Sequence, residues 1–106
     1  STLVAEILDE ENALSMTSIS EAIEVLDELN INLILCDLNM PNGGAQALYQ
    51  YLVRTNHPAV NRMIIMTGGA VDPGAQAFLN ETTLPILYKP FGYAEIERAI
   101  ERLNAD

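Results

Sequence analysis

Short apolar runs alternate with amphipathic stretches along this chain, and the two kinds of segment have different periods. Leu3, Val4, Ile7 and Leu8 recur at helical spacing, with Glu6, Asp9, Glu10 and Glu11 off that face, and Asn12 marks a stop. Residues 13–17 alternate as a short strand. Ser18 or Ser20 caps a second helix with the stripe Ala22, Val25, Leu26 and Leu29. Residues 31–36 are apolar apart from Asn32, the pattern of a strand buried on both faces. Residues 37–44 read as a loop, rich in Asn, Pro and Gly. A third helix turns Ala45, Leu48, Tyr49 and Leu52 inward and ends at Asn56-His57-Pro58, because proline disfavours helix in the residue before it.

Residues 63–66 form the next buried run, and residues 67–71 a small-residue loop. Asp72-Pro73 supplies an N-cap and a first-turn proline to a short helix whose apolar residues are Ala77, Phe78 and Leu79. Residues 84–88 read as the last strand. Gly92 opens the last helix, with Ile96, Ala99, Ile100 and Leu103 on its inner face. The predicted order, α-β-α-β-α-β-α-β-α, implies parallel strands joined by right-handed crossovers. No repeat, linker or low-complexity tract interrupts it, so residues 1–106 are expected to form a single domain.

Composition narrows the function classes. With 49% hydrophobic residues the chain has a core to bury and is not a disordered segment. Fifteen acidic residues against five basic ones give a net charge of −10, which argues against binding nucleic acid or an anionic membrane surface. The single Cys36 cannot close an internal disulfide and suits a reducing cytoplasm. The first residues lack the basic and apolar regions of a signal peptide, and no run approaches the roughly 18 apolar residues of a membrane span.

The chemistry concentrates in three strings: Asp37-Leu38-Asn39-Met40-Pro41, Met66-Thr67-Gly68-Gly69 and Tyr88-Lys89-Pro90-Phe91. Each follows an apolar run, so a carboxylate, a hydroxyl and an ammonium come to the ends of three strands, which in an open parallel sheet line a common crevice. A carboxylate there can attack phosphorus and form an acyl phosphate. A hydroxyl and an ammonium beside it can hold the phosphoryl oxygens, and a lysine in that position needs a carboxylate partner, which the spacing makes Asp37. Taken singly, Asp37 would be a turn-capping residue and Thr67 an ordinary strand end.

Together, at separations of 30 and 22 residues, the strings resemble the receiver domain of two-component response regulators and hybrid histidine kinases. The resemblance covers nearly the whole chain. It implies a flavodoxin-like, doubly wound parallel sheet of order 2-1-3-4-5, with strand 1 absent from this chain. It makes Asp37 the phosphoacceptor, Thr67 the switch hydroxyl and Lys89 the phosphoryl-binding cation. Gly68 becomes a phosphoryl contact through its amide, and Lys89–Pro90 a cis bond. The donor it implies is a phosphohistidine on a histidine kinase or a histidine phosphotransfer protein. The switching surface would be the face of the fourth helix, fifth strand and fifth helix. The domain would be a signalling module in the cytoplasm rather than an enzyme, and its strings look most like those of receivers attached to hybrid histidine kinases.

Some positions depart from the family pattern. Receivers begin with a strand ending in an acidic pair, and this chain begins at the following helix, so the strand is removed, lies outside this chain or is supplied by another molecule. The apolar edge left by a missing strand would invite a homodimer or strand exchange. Mg²⁺ would then find Asp37 and the backbone carbonyl of Asn39 but not the remaining acidic ligands, and binding is expected to be weak or absent. Asp9, Glu10 and Glu11 lie on a solvated face away from the strand ends. Ile86 stands where many receivers carry an aromatic switch residue, and Ala45 where a glycine usually follows the phosphorylation loop. Asn39 and Gly69 offer no group to activate a hydrolytic water, so no fast self-dephosphorylation is expected. Cys36 and His57 read as structural. Two other functions fit less well. A pseudo-receiver would not need Asp37, Thr67 and Lys89, and a haloacid-dehalogenase-like phosphatase needs a second aspartate where Asn39 stands.

Overall fold

The structure, a computed structural model, describes residues 19–26, 33–39, 44–69 and 72–105. The predicted helix near residues 3–11 and the strand over residues 13–17 lie outside the described residues. The elements are α1 (Ile19–Leu26), β1 (Ile34–Asp37), α2 (Gly44–Arg54), a 3₁₀ turn (Pro58–Asn61), β2 (Met63–Thr67), α3 (Pro73–Glu81), β3 (Ile86–Tyr88) and α4 (Tyr93–Leu103).

The three strands pair in parallel in the order β1-β2-β3. Ile34 stands opposite Met63 and Asp37 opposite Met66, while Ile65 stands opposite Ile86 and Thr67 opposite Tyr88. Every residue of β1 and β2 is buried. That burial explains why these runs are continuously apolar: alternate side chains enter two different cores. Ile34, Cys36, Met63 and Ile65 meet Leu26, Leu48, Leu52 and Leu79 of α1, α2 and α3. Leu33, Leu35, Ile64, Met66 and Leu87 meet Ile96 and Ala99 of α4.

Local chemistry ends the helices. The predicted stop of α2 is where Asn56 adopts φ 54°, His57 N–H donates to the Leu52 carbonyl at 2.9 Å and Asn56 N–H to the Val53 carbonyl at 3.1 Å. This is a Schellman closure, with asparagine in the left-handed position usually held by glycine. His57 Nδ1 then accepts the Ala59 N–H at 3.0 Å, which puts the ring proton on Nε2, 3.3 Å from the Leu26 carbonyl. The histidine is structural, as expected, and joins the end of α1 to the turn after α2. Asp72 caps α3 by accepting the Ala75 N–H at 2.8 Å, with Pro73 in the first turn.

Some boundaries differ from the predicted ones. Ala77 is exposed. A helix starting at Pro73 turns Ala75, Phe78 and Leu79 inward, and the Phe78 ring packs on Tyr49 with centroids 5.8 Å apart. β3 begins at Ile86 because the Leu84 N–H is spent on the Thr82 hydroxyl at 3.2 Å and Pro85 has no N–H to give. β1 and β2 run one residue further than the apolar pattern, through Asp37 and Thr67. The glycine demanded after β1 is Gly44, one place before Ala45. Its φ is +54°, and a Cβ on it would sit 2.4 Å from the Leu38 carbonyl oxygen and 2.6 Å from that of Asp37. Ala45 itself is fully buried. Among the described residues no helix is long and apolar enough to cross a membrane.

Gly44→Ala therefore combines a left-handed φ with a backbone collision. It should lower the unfolding free energy by about 2 kcal/mol or more in urea denaturation. Gly68→Ala, whose Cβ would meet nothing within 4 Å, should stay within about 0.5 kcal/mol of the parent.

Candidate functional site

Asp37 ends β1 with its side chain 1% exposed. Its Oδ1 accepts the Asn39 N–H at 2.8 Å, and its Oδ2 is ion-paired with Lys89 Nζ. The ladder continues past the carboxylate, since Leu38 N–H donates to the Met66 carbonyl at 2.7 Å. On the other side of β2, Lys89 N–H donates to the Thr67 carbonyl at 2.8 Å. The three strand ends are thus held in register, and the lysine reaches across β2 to the carboxylate. Lys89 is less buried than the sequence implied: its side chain is 39% exposed, and the buried member of the pair is Asp37. The Lys89–Pro90 bond is cis, as the resemblance implied.

Opposing forces set the protonation of Asp37. Burial pushes its pKa up, but the Lys89 hydrogen bond, the Asn39 N–H and the Lys89 charge outweigh it and leave the carboxyl below its ordinary value of 3.8. Asp37 is therefore an ionised carboxylate at neutral pH. Next to it, burial and the Asp37 charge push the Cys36 thiol up to about 12. That is an inert core sulfur, as its place in the strand suggested.

Thr67 ends β2, fully buried. Its hydroxyl accepts the Gly69 N–H at 3.2 Å and lies 3.5 Å from the Gly69 carbonyl, so its two hydrogen bonds both stay within the loop that follows. Gly69 has φ +119°, a conformation that favours glycine. Gly68 is exposed beside it with open space around its Cα, so the room there does not depend on its lacking a side chain. The structure therefore brings Asp37, Asn39 and Lys89 into contact, and places Thr67 between them in the sheet with its hydroxyl otherwise engaged. Among the described residues no group of three His, Cys, Asp or Glu side chains could hold a metal ion.

A family model described as the response regulator receiver domain matches residues 2–101. The chain belongs to this family. No curated protein matches it. As a receiver domain it is a signalling module of the two-component, phosphorelay type, and its flavodoxin-like sheet accounts for the parallel order seen here. Receiver domains generally bind Mg²⁺ beside the phosphorylation site. Of the ligands expected for such an ion, the described residues include Asp37 and Asn39.

Reading the sequence missed two supports of the site. Gly44 closes the loop back onto the Asp37 and Leu38 carbonyls, and the Gly43-Gly44 pair was the signal available. The local engagement of the Thr67 hydroxyl left no signal.

Lys89→Met tests the electrostatics. The lowered pKa of Asp37 means that the pair stabilises fully above the ordinary carboxylate pKa, and that this is lost as pH falls through the lowered value. In the variant burial dominates and the Asp37 pKa rises. Its stability deficit should be about 2 kcal/mol at neutral pH and should narrow as pH falls through the carboxylate range. Urea denaturation at stepped pH measures this, and a deficit constant with pH would mean that no ionised pair exists.

Proposed function

We propose that this receiver domain accepts a phosphoryl group on Asp37 from a phosphohistidine of a histidine kinase or histidine phosphotransfer protein. The reading is carried by one observation: an ionised, buried carboxylate at the end of β1, paired with the lysine that follows β3. An Asp37 oxygen attacks phosphorus, the phosphorus–nitrogen bond to the donor imidazole breaks, and the imidazole leaves with the bond's electron pair. Lys89 is already positioned to offset the charge on the phosphoryl oxygens. Thr67 would give up its Gly69 contacts to donate to one of these oxygens, and the Gly68 amide to another. The exchange of Thr67 partners is what would alter the neighbouring surface of α3, β3 and α4. Residues 1–106 act in this reading as one signalling domain in the cytoplasm, as part of a hybrid kinase or of a stand-alone regulator.

Intact-mass spectrometry after incubation with acetyl phosphate and Mg²⁺ tests it. The parent should gain one phosphoryl group, Asp37→Asn none, and Lys89→Met should be slower by about tenfold or more. Equal uptake by Asp37→Asn would remove Asp37 from the role. No uptake by the parent would leave a pseudo-receiver, an interaction module that is never phosphorylated.

A further inference from the structure

Two helices leave the loops of the carboxylate site. α2 starts at Gly44, which packs against the Asp37 and Leu38 carbonyls, so this helix is tied to the end of β1. α3 starts at Pro73, shortly after the loop in which Gly69 holds the Thr67 hydroxyl. Asp72 caps α3 by accepting the Ala75 N–H at 2.8 Å, which joins the end of that loop to the first turn of the helix. The anchoring of the two helices is unequal. α2 buries Gly44, Ala45, Leu48 and Leu52, whereas α3 buries Leu79 alone, with Ala75 and Phe78 partly buried beside it.

Aromatic rings meet where the two helices touch. Phe78 of α3 packs on Tyr49 of α2 with centroids 5.8 Å apart and ring planes inclined at 53°, a geometry that aromatic pairs favour. Ile86 of β3 borders the same core and is partly buried. It has no ring to swing between core and surface, so the ring joined to the Thr67 loop is that of α3 itself, Phe78. A shift of this loop pulls on the N-terminal end of a helix with one buried side chain. α3 can turn about Leu79 with little loss of buried surface. Tyr49 stays with the better-anchored α2, and the ring contact opens.

We propose that the Tyr49–Phe78 contact is a latch: it holds α3 against α2 in the unphosphorylated state and opens when Thr67 leaves Gly69 for the phosphoryl group. This inference rests on the phosphorylation of Asp37 proposed above. Tyr49 and Phe78 are then positioning residues that touch neither phosphoryl group nor donor and act through α3 and its loop. A contact made in one state alone favours that state by its own free energy, and weakening it favours the other. A tilted aromatic pair biases such an equilibrium by about two- to tenfold. Removing the Tyr49 ring therefore makes the domain easier to phosphorylate, whereas a purely structural role would leave uptake unchanged or slower.

The chain has two phenylalanines, so labelling with 4-fluorophenylalanine gives two ¹⁹F resonances, which Phe91→Leu assigns. Labelled protein is treated with acetyl phosphate and Mg²⁺, and its intact mass is recorded on the same sample. In the parent the Phe78 resonance should move on phosphorylation toward its position in untreated Tyr49→Leu, where the neighbouring ring is gone. In treated Tyr49→Leu it should move less, and in Asp37→Asn not at all. Tyr49→Leu, checked for folding by its amide spectrum, should take up the phosphoryl group about two- to tenfold faster, and Tyr49→Phe, which keeps the ring, should match the parent. The latch is overturned if Phe78 stays in place in protein whose mass shows the added phosphoryl group. It is equally overturned if Phe78 moves as far in Tyr49→Leu as in the parent, or if folded Tyr49→Leu is no faster. A parent that gains no mass overturns the phosphorylation reading itself, and the latch with it, so the two failures are distinct.

Discussion

The ion pair between Asp37 and Lys89 is the interaction around which the strand ends are arranged. A carboxylate 1% exposed would lose several kcal/mol of hydration if left alone, and it stays charged only because a lysine and a backbone N–H face it. Such a pair is a poor way to gain stability, since well-packed apolar groups do as well or better. Its presence at the C-terminal ends of a parallel sheet, where α/β proteins place their chemistry, fits a functional constraint better than a structural one. Much of the nearby backbone serves it. The Leu38–Met66 and Lys89–Thr67 hydrogen bonds align the three strand ends, and Gly44 brings the returning chain against the carbonyls of Asp37 and Leu38.

The two-faced sheet makes this arrangement rigid. β1 and β2 are wholly buried, between α1, α2 and α3 on one side and α4 on the other. The less buried parts are the loop after β2, where Gly68 is exposed, and β3, whose residues are half-buried at Ile86 and 59% exposed at Tyr88. Lys89 follows Tyr88 directly. The residue that answers charge at Asp37 is therefore attached to the least buried strand of the sheet.

Much of this was legible in the sequence because the signals are local or periodic. Continuous apolar runs identified β1 and β2, the i, i+3, i+4 stripes identified the inner faces of α2 and α4, and Asp72-Pro73 identified the start of α3. The pairing of Asp37 with Lys89, 52 residues apart, followed from placing both at strand ends. What escaped depended on backbone geometry that residue types do not encode. Ala77 was named among the apolar residues of α3 and proves exposed, because an alanine suits either face of a helix. The departure noted at Ala45 gave no sign that its neighbour Gly44 takes a left-handed φ against the Leu38 and Asp37 carbonyls. The Thr67 hydroxyl bonds within its own loop because Gly69 adopts a φ that brings its N–H back.

The most direct test of the account is to locate the phosphoryl group chemically. Protein treated with a phosphodonor is reduced with borohydride, which converts an aspartyl phosphate to homoserine, and is then digested and sequenced by mass spectrometry. The account predicts homoserine at position 37 and at no other aspartate. Homoserine at another aspartate, or an unreduced Asp37 in protein that has taken up phosphate, would contradict it.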